Sequence, residues 1–134
     1  MEYRELGKTG LVVSRLCFGA LTIGPLQRRM TPKEGGEVIS RAFAQGVNFL
    51  DTAELYGTYP HIREALSRVE RPEEIVIATK SYAPSRERMA RSLEQARREM
   101  DIDVVPIFLL HEQESIHTLR GHRPALDYLL EAKA

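Results

Sequence analysis

The chain is short of several things that would each have pointed to a function. It has one cysteine, Cys17, in 134 residues, so neither an internal disulfide nor a thiolate metal cage is possible. It has no net charge, with 19 basic and 19 acidic side chains, which removes the electrostatic case for a nucleic-acid or anionic-membrane partner. It has no apolar run near the roughly 18 residues a bilayer span needs. Its first residues, MEYRELGKTG, are charged where a signal peptide carries its apolar core. A soluble cytoplasmic protein is the expectation. No GxGxxG follows the first strand-like run, so the dinucleotide fingerprint of doubly wound sheets is missing. No His/Asp/Glu spacing suggests a metal site.

What is present is a regular alternation. EYREL and LVVSR, joined through Gly7 and Gly10, read as a β-hairpin, and RLCFGA as the next strand, closed by Gly19. Cys17 within it reads as a small buried hydrophobe. Thr31-Pro32-Lys33-Glu34 is a capping box with proline at the first helical position. Val38, Ile39, Ala42 and Phe43 give that helix its apolar stripe, and Gly46 stops it. Gly35 and Gly36 in its first turns are expected to weaken it by about 1 kcal/mol each relative to alanine. VNFLD, EEIVIATK and VVPIFLLH read as three further strands. The helices between and after them carry Ile62, Ala65, Leu66 and Val69; then Met89, Leu93, Ala96 and Met100 behind a Ser85 cap; then Leu126, Leu129 and Leu130. His61, His117 and His122 fall in polar contexts and read as solvated. The arginines of SRERMARSLEQARREM are interleaved with glutamates and read as a solvated helix face.

Strands alternating with helices imply parallel βα units, and runs such as IVIAT and IFLL imply strands buried on both faces. Three of these runs end on a reactive side chain: Asp51, Lys80 and His111. Tyr56 follows Asp51 by five residues. In a (β/α) barrel the working groups gather at the carboxyl ends of successive strands, so the barrel is favoured over the open sheet.

DTAELYG closely resembles the D-T-A-x-x-Y-G signature of the aldo-keto reductases. IVIATK is similar to the strand ending in that family's lysine, IFLLH to the one ending in its histidine, and the opening hairpin with LVVSRLCFGA to its start. The resemblance runs along essentially the whole chain. It implies an α/β fold, a (β/α)₈ TIM barrel of the aldo-keto reductase type, of which residues 1–134 would be the N-terminal hairpin and about four βα units. A full barrel takes about 250 residues, so the resemblance marks the chain as an N-terminal half, a truncated piece expected to be inactive alone. Two stretches depart from the family pattern, TYPHIREAL after the tyrosine and EQE after the histidine. Both border the substrate pocket, so the substrate stays open.

The implied reaction is reduction of an aldehyde or ketone by NADPH or NADH, because no side chain can donate a hydride. Tyr56 is the implied proton donor. An ammonium beside a phenol stabilises its phenolate, the role implied for Lys80, with Asp51 keeping that ammonium charged and in place. His111 would orient the carbonyl oxygen. Ala20 and Leu21, with Asp51, are the implied cofactor contacts in this half; those to the pyrophosphate and adenosine belong largely to later strands. The expected partners are a small carbonyl substrate and, because half a barrel leaves sheet edges and an apolar face open, a second copy of the chain. Two alternatives stay open at this point. One is a non-catalytic relative that senses cofactor or serves in assembly; the other is a Schiff-base aldolase with Lys80 as nucleophile.

Overall fold

The structure, a computed structural model, describes residues 1–134. The chain opens with an antiparallel hairpin, β1 (Tyr3–Glu5) and β2 (Val12–Ser14). Gly7 and Gly10 both sit at positive φ in its loop, a backbone region open to glycine at little cost. Four parallel strands follow: β3 (Cys17–Gly19), β4 (Phe49–Asp51), β5 (Val76–Ser81) and β6 (Ile107–Leu110). They pair in chain order, β3-β4-β5-β6, each joined to the next by a helical crossover.

The helices are α1 (Pro32–Ala44), α2 (Tyr59–Leu66), α3 (Arg86–Met100), α4 (Ile116–Gly121) and α5 (Arg123–Lys133). The capping box forms as expected: the Glu34 amide donates to Thr31 Oγ1 at 3.3 Å, and the Thr31 amide donates to Glu34 Oε2 at 2.8 Å. The core lies between the sheet and α1–α3. Ile39, Leu50, Ile62, Ala65, Ala96 and Met100 are fully buried there, and each large side chain is worth about 1.5–3 kcal/mol of transfer free energy.

Several expectations need correction. Gly35 and Gly36 do more than weaken α1. A Cβ on Gly35 would lie 2.5 Å from His61 Cδ2, and one on Gly36 would lie 2.5 Å from Glu64 Cγ. Their bare backbone lets α1 and α2 approach closely, which offsets the propensity cost. His61 is therefore buried rather than solvated, with Nε2 against the Met30 carbonyl at 2.8 Å. Cys17 is exposed: its strand is a sheet edge with no neighbour on the far side. Val69 lies beyond the end of α2, and Val104 and Val105 precede β6, which starts only after Pro106. β5 is buried along most of its length as expected, but β6 is half-exposed, again because it is an edge. The segment after His111 folds as α4, an element that no apolar stripe announced. No helix is long and apolar enough to cross a membrane.

Candidate active site at the carboxyl ends of the strands

The parallel register puts the ends of β3 and β4 level, with Gly19 opposite Asp51, while β5 runs on from Ala78, opposite Asp51, to Ser81. Lys80, two residues further along β5, reaches back to Asp51. Its Nζ donates to Asp51 Oδ1 and Oδ2 at 2.8 Å each and to the Thr52 carbonyl at 2.7 Å. An ammonium has three donors, and all three are used. The Lys80 side chain is 14% exposed and that of Asp51 41%, so the cation is the more deeply enclosed partner. A nucleophilic amine needs a free lone pair, so this saturated geometry argues against the Schiff-base reading.

Tyr56 is delivered by a single 3₁₀ turn, Glu54–Tyr56, closed by Gly57 at φ +64°. Two buried threonines bracket the turn, Thr52 Oγ1 and Thr58 Oγ1, 2.7 Å apart. Gly24 is packed against it as well: a Cβ there would lie 2.8 Å from the Tyr56 carbonyl oxygen. The Lys80 Nζ lies 5.4 Å from the centre of the Tyr56 ring.

His111 follows β6 directly and is buried. Its amide donates to the Ser81 carbonyl at 3.0 Å, which extends the β5–β6 ladder by one step. The ring meets Tyr56 edge to face, with centroids 5.8 Å apart and planes at 79°. On its other side it stacks on Tyr82 at 4.1 Å and 17°. Burial pushes the imidazole below the ordinary histidine range, with Glu112 opposing and the Lys80 ammonium reinforcing that shift. The result is a neutral ring near neutral pH, and its Nδ1 is enclosed without a hydrogen-bond partner. Asp51, Tyr56, Lys80 and His111, far apart in the chain, thus form one cluster at the carboxyl ends of β4, β5 and β6.

Ala20 and Leu21 begin the 3₁₀ turn after β3, next to the strand that ends in Asp51. Ala20 is buried and Leu21 half-buried. The Cys17 thiol, though its residue is exposed, is pushed up to about 11 by partial burial and by the Asp51 carboxylate, with the Lys80 ammonium opposing. Tyr82, Glu54 and Ser81 were missed by reading the sequence. Tyr82 and Ser81 follow the lysine in a strand-end context that carries no distinctive pattern, and their contacts come from segments 27–30 residues away.

Residues 15–133 match the family profile described as "Aldo/keto reductase family". L-galactose dehydrogenase of Arabidopsis thaliana is 29% identical over 124 residues, covering 85% of this chain and 39% of its own length. The Arabidopsis thaliana protein named "Probable voltage-gated potassium channel subunit beta" is 27% identical over 146 residues, covering 98% of this chain and 43% of its own. Among solved structures, a thermostable aldo-keto reductase in complex with the inhibitor epalrestat superimposes with a TM-score of 0.80 at 29% identity, over 99% of this chain and 51% of that one. The chain spans less than half the length of these curated relatives. Its parallel sheet with strands in chain order is the architecture of half a (β/α)₈ barrel.

Proposed function

The chain belongs to the aldo/keto reductase family, and on that premise we propose that its cluster serves the NAD(P)H-dependent reduction of an aldehyde or ketone to an alcohol. The observation that carries this reading is the convergence of Asp51, Tyr56, Lys80 and His111. A phenol stands beside a fully engaged ammonium on one side and a neutral imidazole on the other.

Tyr56 gives its phenolic proton to the carbonyl oxygen as negative charge develops there. Lys80, held by Asp51 and the Thr52 carbonyl, stabilises the charge left on the phenolate oxygen. Neutral His111 can donate a hydrogen bond to the same carbonyl and fix its direction. The residues present fit the nicotinamide end of the cofactor: Asp51 offers a partly exposed carboxylate, and Leu21 a half-buried apolar surface beside it. NADPH or NADH, when bound, supplies the hydride. A second reading is a non-catalytic cofactor-sensing or assembly subunit; its one support is the likeness to a protein named as a probable potassium-channel β-subunit.

The sheet edges at β3 and β6, with Leu109 45% exposed on β6, leave the site open on one side. The monomeric chain accordingly lacks normal turnover, and a second copy covers the open edges. The test is a concentration series of NADPH oxidation with an aldehyde probe, for the wild type and Tyr56→Phe. Turnover confined to associated protein, reduced about 10²–10⁴-fold by the substitution, supports the reading. Absence of turnover at every concentration, or an equally active Tyr56→Phe, overturns it.

A further inference from the structure

Ser81 is linked to Lys80, to His111 and to the turn that bears Tyr56. It is joined to Lys80 by a peptide bond, and its carbonyl accepts the His111 amide at 3.0 Å. Its hydroxyl donates to Glu54 Oε2, on the 3₁₀ turn that ends in Tyr56. The hydroxyl oxygen also receives the Ala83 amide at 3.1 Å and, with its own proton committed to Glu54, the Ser92 hydroxyl at 3.0 Å. Ser81 and Ser92 are 1% and 4% exposed. The hydroxyl therefore has one orientation, set from the β5–α3 loop and from α3, and presents its proton to Glu54.

The turn bearing Tyr56 is fastened at its base by Thr52 and Thr58. Gly24 packs against the Tyr56 carbonyl from one side. The bond from Ser81 to Glu54 adds a hydrogen-bonded attachment at the first residue of the turn. It ends on the residue that also fixes the Lys80 backbone and the His111 amide.

We propose that Ser81 and Glu54 are positioning residues whose hydrogen bond sets Tyr56 against Lys80 and His111. This deepens the carbonyl-reductase reading and rests on it for its functional meaning, though the positioning itself is a property of the folded chain. Neither residue touches the reacting atoms. Glutamate is used as an acceptor, so glutamine, whose side-chain carbonyl occupies the same place, preserves the bond, whereas alanine removes it.

The test is NMR on the chain itself, following the cross-peaks between the Tyr56 and His111 ring protons in wild type, Ser81→Ala, Glu54→Ala and Glu54→Gln. Contacts between Leu50 and Ile77 report whether the sheet is intact. The expected result is loss of the Tyr56–His111 cross-peaks in Ser81→Ala and Glu54→Ala, retention in Glu54→Gln, and Leu50–Ile77 contacts unchanged throughout. Where Ser81→Ala fails to fold, the Glu54 pair decides alone. Retained cross-peaks in Glu54→Ala, or equal loss in Glu54→Gln, overturn the proposal. NADPH oxidation is measured on the same samples. A wild type that is inactive at every concentration, associated protein included, but shows the expected NMR pattern refutes the reductase reading while leaving the positioning intact. In an active protein, Glu54→Ala lowers kcat about 10²-fold, the scale of a misplacement of about 1 Å, and Glu54→Gln restores it.

Discussion

Removing Asp51 should destabilise the protein more than removing Lys80, although the two are partners in one ion pair. The asymmetry follows from their surroundings. Lys80 is 14% exposed and has only three acceptors, two of them on Asp51. Asp51→Ala leaves a largely enclosed ammonium with the Thr52 carbonyl alone. Orphaning one partner of a buried pair costs about 3–5 kcal/mol. Water entering through the space left by the 41% exposed carboxylate lowers that to about 2–4 kcal/mol. Lys80→Met leaves instead a carboxylate that water already reaches, and methionine retains most of the aliphatic stem, so the cost is about 1 kcal/mol. In the double variant no charge is orphaned, and it should be more stable than Asp51→Ala by about 1–2 kcal/mol. Urea unfolding at pH 7, followed by circular dichroism at one fixed protein concentration, measures all four proteins. If Lys80→Met is the more damaging, or the two effects simply add, the assignment of Lys80 as the enclosed partner is wrong.

Other expectations concern single positions. His111 is depressed by burial, so the unfolded chain binds its proton first on acidification. Stability from this residue is fully present above the unfolded value of about 6.5 and is lost as pH falls toward the folded value. His111→Gln should flatten the stability–pH curve below about 6.5 and leave its slope above that unchanged. Gly24→Ala forces a Cβ to within 2.5 Å of Thr58 Cγ2 and 2.8 Å of the Tyr56 carbonyl. It should cost about 1–3 kcal/mol in urea unfolding and disturb the Tyr56 turn; an unchanged midpoint would show that the packing there is loose. Sedimentation velocity should show association that a charge on the β6 edge, Leu109→Lys, reduces; a strictly monomeric wild type contradicts the open-edge account.

The sequence made legible what local chemistry determines. The Thr31 capping box, the Ser85 cap and the stripe of Met89, Ala96 and Met100 appear where their spacing puts them. The cluster was legible because each member ends an apolar run or follows one in a distinctive signature. Apart from element boundaries and the unannounced α4, the misreadings share one cause: each depends on which segment comes to lie opposite. Gly35 and Gly36 look like helix defects until α2 packs across them, and His61 looks polar until that packing encloses it. Cys17 and β6 look buried because their runs are apolar, yet both lie on sheet edges. Ser81 and Glu54 meet across 27 residues of chain, and nothing local marks either of them.

The most direct test of the central claim is to trace the hydride and the proton donor together. NADPH carrying deuterium at the transferred position would be incubated with an aldehyde probe and associated wild-type or Tyr56→Phe protein, and the alcohol analysed by mass spectrometry. The wild type should yield an alcohol with one deuterium on the former carbonyl carbon, and Tyr56→Phe about 10²–10⁴-fold less of it. Equal labelled product from both proteins, or none from the wild type, would contradict the central claim.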